Sequence, residues 1–580
     1  MSQDSKQIEL DRLRHSSAHI LAQAVQSLYS DVKLAIGPSI KDGFYYDFDL
    51  AQPITDEDLR KIETKCRAII QEKQEFLGKK VTRKEAFEFF KQRGEKYKLE
   101  ILESLPDDNI WLHSNGPFTD LCRGNHMQNT SEVKAIKLLN VAGAYWRGSE
   151  HNPMLQRIYG TAFFSEDELN QYLARLEAAK QRDHRKLGRE LDLFSFHEES
   201  PAIPFYHEKG AIIYNELISY WRKEHELEGY REIRTPIILK DELWKQSGHY
   251  DHYKEHMYFT GVDQTPFAIK PMNCPGSTLV YRSAQRSYRD LPMRLSELGL
   301  VHRHELSGVL HGLFRARAFT IDDAHIFCYG AQIKSEISKV IALILRIYGA
   351  FGFSEINVYL STRPKESMGS DEIWEKAVSG LCEAIEESKL NYEVNEGGGA
   401  FYGPKIDFEV TDSIGREWQC GTVQLDFMMP ERFQLEYVER DGKMHRPVMV
   451  HRAVFGSVER FYGILVEHFG GAFPIWLAPV QVCVATISEK QLEGAQKVHE
   501  EFKKAGIRSE LDASSEKIGY KIRNAEVSKV PYVAVIGARE LADGKVAIRA
   551  RGGKDLGVMT IQDFILKAQG EINSKQTGGM

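Results

Sequence analysis

Cysteine and long apolar runs are both scarce in this chain. Its seven cysteines among 580 residues are odd in number and scattered, so they predict no disulfide framework and favour a reducing compartment. No apolar run reaches the ~18 residues that a membrane span needs. The first residues, MSQDSKQIELDR, are polar and lack the apolar stretch of a signal peptide. We therefore expect a cytoplasmic protein with no membrane partner.

Three common catalytic motifs are missing as well. In EGGGAFYGPK, Gly399 and Gly403 enclose three residues instead of four, and Lys405 is not followed by Ser or Thr, which excludes a P-loop. In HRHELSG, Gly308 stands where the metalloprotease pattern HExxH requires His. No G-x-G-x-x-G opens a predicted helix, so a dinucleotide-binding fold has no support.

The composition is that of an ordinary globular protein, with 42% hydrophobic and 27% charged residues. A length of this kind suggests about three or four domains. The net charge is 76 − 83 = −7, but 179–190 holds five basic and two acidic residues, and 479–580 holds 16 basic against 13 acidic. Such runs are either solvated helix faces or footprints for phosphates.

Pattern changes along the chain predict four segments. Residues 1–178 mix short strands with polar helices, such as Asp56 to Phe76, and 179–195 read as a linker helix. Residues 196–478 alternate helices with β-rich runs and carry most of the unusual motifs. Residues 479–580 alternate strand and helix, which predicts a small α/β unit with a mainly parallel sheet.

One cysteine and two histidines in the third segment form a candidate metal site. They are Cys274 in IKPMNCPGS, His325 in TIDDAHIF and His451 in MVHRAVFGSVERF. Three protein ligands are the number found where catalytic zinc keeps a fourth position open. The separations of 51 and 126 residues are too long for a zinc finger, and each residue alone is more often structural.

Basic residues alternate along two β-like runs nearby. LVHRHE places Arg303 and Glu305 on one face of a predicted strand, and LFRARAFT returns with Arg315, Arg317 and Phe319. Guanidinium groups suit phosphates, a carboxylate suits an adenine amino group, and an aromatic ring suits base stacking. A surface hairpin with cross-strand ion pairs is the alternative reading.

A second histidine and cysteine group lies near the N-terminus. In RHSSAHIL, His15 and His19 are four residues apart and share a helix face. DLCRGNH adds Cys122 and His126. The spacing favours a zinc site, with unrelated helical histidines as the alternative.

Together these strings resemble a known family. The Arg-x-Glu run, the returning R-x-R-x-F run and GSVERF are similar to motifs 2 and 3 of the class II aminoacyl-tRNA synthetases. KPMNCPG, DDAHIF, GAFYGPKID, QCGTVQLDF and HRAVFGSVERF, in this order, resemble the threonyl-tRNA synthetases over essentially the whole chain. YREIRTPII is similar to motif 1, which places Pro236 at the interface of an expected homodimer.

The resemblance implies an α+β multidomain fold. It implies an N-terminal α+β editing domain over 1–178, a linker helix over 179–195 and a class II antiparallel-sheet catalytic domain over 196–478. A C-terminal α/β anticodon-binding domain is expected over 479–580, in contact with tRNA(Thr).

The resemblance also implies residue roles. Zinc, one ion per subunit, would be held by Cys274, His325 and His451. ATP with magnesium would be bound by Arg303, Glu305, Arg315, Phe319, Lys405 and Arg460. L-threonine would be bound by Met272, Asp323, Tyr402, Gln424 and Ser457. Editing residues would be His15, His19, Cys122, His126, Asp120 and Lys98, and anticodon contacts would be Glu540 and Arg549.

The implied reaction is attack of the threonine carboxylate on the α-phosphorus of ATP, followed by transfer to the tRNA ribose. The carboxylate is already a nucleophile, so the first step needs positioning and charge stabilisation, for which Arg303 and Arg460 are the catalytic candidates. The second step must remove a ribose proton, and His249, with a pKa near neutral, is the candidate base.

Zinc with an open position would distinguish threonine from valine, because only threonine offers both an amino group and a hydroxyl. Serine keeps both groups and lacks one methyl, which is worth only ~1–3 kcal/mol, or about 10–200-fold. A second site that hydrolyses seryl-tRNA is therefore expected, and the N-terminal group is similar to that site in the family.

The chain also departs from the family. It starts almost at the editing domain, so the small ubiquitin-like N-terminal module is expected to be absent. Ser277, Ile321 and Ala318 replace the usual His, Gln and Gly near the amino-acid pocket. A synthetase-like paralogue that binds tRNA without ligating it, and a free-standing editing hydrolase, are the alternative functions.

Overall fold

The computed structural model describes residues 3–105 and 110–575, and these fall into two units, Met1–Glu177 and Ala178–Met580. Each unit has its own apolar core. Within the described ranges, no helix combines the length and the apolar character that crossing a membrane requires.

The first unit packs helices against antiparallel sheets. One sheet has the order β1-β3-β8-β7 with β2 beside β3, and a second has the order β4-β5-β6. Leu13, Ile20 and Leu21 of the first helix pack with Phe44 and Phe48 of the sheet in one core. The elements are α1 (Gln3–Leu28), β1 (Lys33–Leu34), β2 (Ser39–Ile40), β3 (Gly43–Asp49), α2 (Asp56–Gln71), β4 (Phe76–Lys80), α3 (Arg83–Gln92), α4 (Lys96–Ser104), β5 (Trp111–Asn115), β6 (Phe118–Leu121), β7 (Ala135–Tyr145), β8 (Met154–Phe163) and α5 (Glu166–Arg182).

The second unit is built on an eight-stranded sheet with the order β11-β15-β16-β23-β20-β19-β17-β18. Its six central strands pair antiparallel, and only the two edge pairs are parallel. The helices of this part are α6 (His184–Glu190), α7 (Glu208–Leu227), α8 (Asp241–Ser247), α9 (His249–Tyr253), α10 (Cys274–Arg282), α11 (Ile333–Ala350), α12 (Asp371–Glu387), α13 (Met428–Arg432) and α14 (Val458–Phe469). Its strands are β9 (Phe194–Ser195), β10 (Phe205–Tyr206), β11 (Arg231–Glu232), β12 (Ile238–Lys240), β13 (Tyr258–Val262), β14 (Thr265–Ile269), β15 (Met293–His302), β16 (Ala318–Cys328), β17 (Ile356–Ser361), β18 (Glu393–Asn395), β19 (Lys405–Thr411), β20 (Glu417–Asp426), β21 (Tyr437–Val438), β22 (Met444–His445) and β23 (Val448–Ser457).

Buried Asp322 fixes the junction between two central strands. Its carboxylate accepts hydrogen bonds from the backbone N–H groups of Val454, Phe455 and Gly456 at 2.9–3.0 Å. The pairing of β16 with β23 shifts register at this point, so these N–H groups lack ladder partners and the carboxylate satisfies them. The bulge lies between the candidate metal ligands and the start of α14.

The C-terminal part of the second unit carries a sheet with the order β25-β24-β26-β27-β28. Three strands are parallel, as the sequence predicts, but β27 and β28 add two antiparallel pairs at one edge, so the sheet is mixed. The two added strands form a hairpin, which needs no crossover helix. The elements are β24 (Val482–Thr486), α15 (Leu492–Lys504), β25 (Ser509–Asp512), α16 (Ile518–Val527), β26 (Tyr532–Ile536), α17 (Ala538–Ala542), β27 (Lys545–Ala550), β28 (Lys554–Thr560) and α18 (Ile561–Ser574).

Four predicted elements differ in extent from the structure. The strand predicted through Glu305 ends at His302, and the returning strand begins at Ala318 instead of five residues earlier. The helix predicted from Asp56 to Phe76 ends at Gln71. The linker helix predicted over 179–195 is broken, because Asp183 caps a new helix by accepting the N–H of Arg185 at 2.8 Å.

Candidate functional site

Cys274, His325 and His451 come together at the centre of the second unit. The two histidines are directly opposite each other on β16 and β23, with ring centroids 5.0 Å apart. Cys274 is the first residue of α10. The possible ligand atoms of all three lie within 4.8 Å of one another, and all three side chains are buried.

The chemistry of this cluster fits a metal ion. Burial raises the pKa of the Cys274 thiol and lowers that of the His325 imidazole, so both of these side chains favour their neutral forms. The Nε2 atom of His325 is buried without a hydrogen-bond partner. A thiol and two imidazoles, one with an orphaned nitrogen, are a donor set that zinc prefers.

A cavity of about 390 Å³ adjoins the cluster. Four of the five predicted threonine-binding residues line it, namely Met272, Asp323, Tyr402 and Gln424. Lys405, predicted to bind ATP, lines the same cavity. The Tyr402 hydroxyl donates to Gln424 Oε1 at 2.5 Å, and Asn273 Nδ2 donates to Asp323 Oδ2 at 3.3 Å. Burial raises the pKa of Asp323 to about 7.

A second cavity of about 330 Å³ shares Arg303 and Ile321 with the first. It is lined by the other predicted ATP-binding residues, which are Glu305, Arg315, Phe319 and Arg460. The Arg303 guanidinium carbon lies 5.1 Å from the Phe319 ring centroid, and the Nε atom of Arg460 is buried without a partner. Three arginines and an aromatic ring suit a nucleotide with its phosphates.

Ser457, predicted for the threonine pocket, lines this second cavity and not the first. Its hydroxyl caps α14 by accepting the N–H of Arg460 at 3.0 Å. The register shift beside Asp322 lies between Ala453, which lines both cavities, and Ser457, which lines only the second.

His249 lies beside the cluster, but its environment differs from the sequence prediction. Nδ1 is 2.8 Å from Ser247 Oγ, and Nε2 is 3.0 Å from Met272 Sδ and 3.8 Å from Cys274 Sγ. Complete burial, with the nearby charges of His451 and Arg303, lowers its pKa to about 3 instead of leaving it near neutral. In this conformation His249 is a neutral and weak base.

The first unit holds a second cluster. The side chains of His15 and His19 on α1 meet those of Cys122 and His126, with possible ligand atoms within 4.8 Å of one another. His15 Nε2 is 2.9 Å from Cys122 Sγ, and His126 Nε2 is 3.3 Å from the same sulfur. Burial lowers the pKa of each histidine, so all three are neutral at pH 7.

A buried ion pair lies in the same pocket. Lys98 Nζ is 2.5 Å from Asp120 Oδ1, and both side chains are at most 4% exposed. The hydroxyl of Tyr46 donates to Asp120 Oδ2 at 2.6 Å and accepts from Lys98 at 3.0 Å. Five of the six predicted editing residues line a cavity of about 550 Å³, namely His15, His19, Lys98, Asp120 and Cys122. The sixth, His126, is buried and does not line the cavity.

Several contacting residues were not found from the sequence. Asp426 Oδ2 is 2.8 Å from His451 Nε2; it follows Gln424 by two positions on β20, and strand alternation alone would have placed both on one face. Tyr46, Asn273 and His113, whose Nδ1 donates to the carbonyl of Cys122 at 3.0 Å, carry no sequence signal of this kind.

The two predicted anticodon residues occupy separate elements of the C-terminal part. Glu540 is on the short helix α17, and Arg549 is on β27. The Arg549 side chain is 45% exposed and lies 4.0 Å from Asp555. Its guanidinium group is therefore accessible from solvent.

The antiparallel sheet with its two adjoining cavities defines a class II aminoacyl-tRNA synthetase core. Residues 258–469 match the family profile "tRNA synthetase class II core domain (G, H, P, S and T)". Residues 481–571 match "Anticodon binding domain", and residues 112–159 match "Threonyl and Alanyl tRNA synthetase second additional domain". The predicted fold class is confirmed.

Similar proteins indicate which kind of class II synthetase this chain resembles. The chain is 57% identical to the threonine–tRNA ligase of Desulforamulus reducens and 58% identical to that of Clostridium tetani, covering 97% of this chain and 88% of each relative. It also resembles the crystal structure of the RNA-binding domain of threonyl-tRNA synthetase from Cryptosporidium parvum, with a TM-score of 0.64, 42% identity, 67% of this chain and 98% of that chain covered. This chain belongs to the threonine–tRNA ligase family.

Proposed function

We propose that this enzyme activates L-threonine with ATP, transfers the threonyl group to the 3′ end of tRNA(Thr), and hydrolyses seryl-tRNA formed in error. The observation that carries this proposal is the meeting of two cavities at Arg303 and Ile321. One cavity has four of the five predicted threonine-binding residues together with Lys405, and the other has five of the six predicted ATP-binding residues together with Ser457. A carboxylate and an α-phosphate that must join require two such adjacent pockets.

Charged side chains perform the first step. Arg303 stands where the two cavities meet and would neutralise charge that builds up on the α-phosphate during attack. Arg460, with its unpartnered Nε, would hold the distal phosphates together with magnesium, and Glu305 would accept a hydrogen bond from the adenine amino group. Phe319 offers a face for base stacking.

Zinc is proposed to be held by Cys274, His325 and His451. When bound, it would accept both the amino group and the hydroxyl of threonine as further ligands, whereas valine would supply only the amino group. Asp323 would orient the same hydroxyl.

We expect Asp426→Asn to weaken zinc binding about 10–100-fold. Asp426 Oδ2 faces His451 Nε2, while Oδ1 accepts the N–H groups of Met428 and Met429 at 2.7 and 2.9 Å. In the variant, the amide oxygen would satisfy those two donors and the NH₂ group would face Nε2. The imidazole would then carry its proton on Nδ1, the nitrogen left for the metal.

A chelator competition measures the zinc dissociation constant of this variant. Asp441→Asn is the control, because Asp441 is 47% exposed and is not part of the cluster. Equal zinc affinity of the Asp426 variant and the wild type would show that Asp426 does not select the tautomer of His451.

The first unit is proposed to hydrolyse seryl-tRNA. Its cavity of about 550 Å³ has room for a ribose and an aminoacyl group. The neutral imidazole of His15 would accept a proton from water, and His19, whose pKa burial lowers well below its ordinary value, would line the pocket. Lys98 with Tyr46 and Asp120 would orient the substrate. An extra methyl in this pocket would hinder threonine.

The remaining assignments are also proposals. We assign editing to 1–178, a linker to 179–195, catalysis to 196–478 and anticodon contact to 479–580, with Glu540 and Arg549 touching RNA. We expect a homodimer with Pro236 at its interface. All seven cysteines are unpaired, which supports a reducing, cytoplasmic location.

Amino-acid-dependent ATP–pyrophosphate exchange tests the function directly. Threonine should drive rapid exchange, valine should drive almost none, and serine should drive exchange reduced about 10–200-fold. Absence of exchange with threonine, in protein that still binds tRNA, would instead support a synthetase-like paralogue without ligase activity.

A further inference from the structure

The charged segment 179–190 contains a histidine that is completely buried. His184 is the first residue of α6 and is 0% exposed, so it belongs neither to a solvated helix face nor to a phosphate footprint. It lies outside residues 258–469, which match the class II core profile. It nevertheless contacts Leu313, which lines the nucleotide cavity.

His184 bridges two parts of the catalytic domain. Its Nδ1 atom lies 2.7 Å from Oε1 of Glu467 on α14. The other carboxylate oxygen of Glu467, Oε2, lies 2.6 Å from Nη1 of Arg416. A carboxylate only accepts hydrogen bonds, so Nδ1 carries the proton. The Nε2 lone pair is then free to accept the backbone N–H of Leu313, at 3.0 Å.

Leu313 belongs to the segment that connects β15 to β16 and lines the nucleotide cavity with Phe314 and Arg315. The Phe314 ring centroid is 4.1 Å from that of His184. Preceding Leu313, Gly312 has a φ of +52°, and a Cβ atom there would lie 2.3 Å from His184 Nε2. This glycine therefore permits the close approach that the hydrogen bond needs.

The opposite side of the segment is held equally closely. A Cβ atom on Gly463 of α14 would lie 3.0 Å from the Phe314 ring and 3.2 Å from Leu313 Cβ. Phe314 also packs on Trp418, with ring centroids 4.3 Å apart. The buried half of the segment is therefore fixed, while Arg315 remains exposed to the cavity.

We propose that His184 is a positioning residue for ATP binding: as a neutral imidazole held by Glu467, it anchors the backbone at Leu313 and so aims Arg315 into the nucleotide cavity. The inference rests on the proposed function, because it takes ATP as the occupant. Removing the acceptor would leave a buried N–H unsatisfied and loosen the segment.

Two substitutions separate the hydrogen bond from ring packing. His184→Phe keeps an aromatic ring against Phe314 and removes both polar atoms, whereas His184→Gln retains an oxygen that can accept the N–H of Leu313. His225→Gln is the matched control. His225 is also buried, at 2% exposure, and its Nδ1 donates to Trp221 O at 2.6 Å, away from the nucleotide cavity.

Hydrogen–deuterium exchange of the unliganded full chain, followed over residues 311–318, is the first measurement. We expect faster exchange in His184→Phe and a smaller increase in His184→Gln. In ATP–pyrophosphate exchange, His184→Phe should raise KM for ATP about 10-fold, with less than a twofold change in KM for threonine, and His184→Gln should recover part of the loss.

Unchanged exchange of residues 311–318 in His184→Phe would overturn the proposal, as would an equal increase in His225→Gln. A rise in both Michaelis constants together would also overturn it, because a merely structural role would predict that result. If the wild type shows no threonine-dependent exchange, the proposed function fails, yet the hydrogen–deuterium measurement still decides whether His184 anchors this segment.

Discussion

Replacement of Cys274 by serine is expected to remove stoichiometric zinc and to reduce threonine-dependent ATP–pyrophosphate exchange by roughly 100-fold or more. Loss of a group that only orients a metal ligand costs about 10–100-fold in affinity or activity, and Cys274 is proposed as a ligand itself. A serine hydroxyl is a poor substitute, because zinc favours the thiolate. Zinc content and exchange rate are measured on the same purified protein.

Cys328→Ser is the matched control for this variant. Cys328 lies on β16 three residues after His325, is buried, and has a pKa raised by burial to about 12, but it is not part of the cluster. We expect this control to retain zinc and exchange. Retention of stoichiometric zinc by the Cys274 variant would refute the ligand assignment.

The three proposed zinc ligands show how much of a site sequence reasoning can predict and where it stops. Spacing alone could not join Cys274, His325 and His451, because their separations depend on the order of strands in the sheet. In that order β16 lies beside β23, although six strands come between them along the chain. Only the family resemblance carried that information, and the structure brings the three residues together.

Roles that depend on strand ends were harder to predict. Alternation along LVHRHE and LFRARAFT predicted that Arg303 and Arg315 lie on two strands as candidate phosphate-binding groups, yet neither residue lies in a strand. The backbone N–H of Arg303 still donates a hydrogen bond to the backbone carbonyl of Arg317 at 2.9 Å. The alternating pattern correctly indicated two adjacent segments, but it did not indicate the residues at which their strand pairing ends. Strand boundaries depend on packing with neighbouring elements, which the pattern does not contain.

Burial could not be inferred for single histidines. His249 follows Gly248 at the start of a short helix, which gives no indication that it is completely enclosed. The same holds for His184, which stands among charged residues that are mostly exposed. A pKa prediction from sequence alone therefore failed for His249, because desolvation depends on atoms contributed by distant parts of the chain.

The proposed editing cluster was easier to predict because two of its pairs are close in sequence. His15 and His19 are neighbours on one helix, so their proximity follows from helical geometry alone. Cys122 and His126 are likewise four residues apart, although they lie in a loop after β6 and not on a helix. What the sequence did not reveal is that α1 brings the first pair against this loop.

Substitution of His15 by alanine is expected to slow hydrolysis of seryl-tRNA by about 10²–10⁴-fold, the range for loss of a general acid or base. Its Nε2 is 2.9 Å from Cys122 Sγ at the wall of the cavity, and burial lowers its pKa, which keeps the imidazole neutral and able to accept a proton. Threonine activation should be unchanged, because the catalytic cavities belong to the other unit. Deacylation of preformed seryl-tRNA(Thr) is the measurement.

His151→Ala provides the control, since His151 is an exposed histidine of the same unit. Deacylation by this control should equal that of the wild type. Deacylation measured with and without a zinc chelator tests whether the four side chains act through a metal, since their possible ligand atoms are close enough to hold one.

If the His15 variant hydrolyses seryl-tRNA at the wild-type rate, the cavity of the first unit is not the hydrolytic site. The discrimination against serine must then arise at the proposed zinc cluster alone. That outcome would require the cluster to separate two substrates differing by one methyl group far beyond the ~1–3 kcal/mol that such a difference supplies.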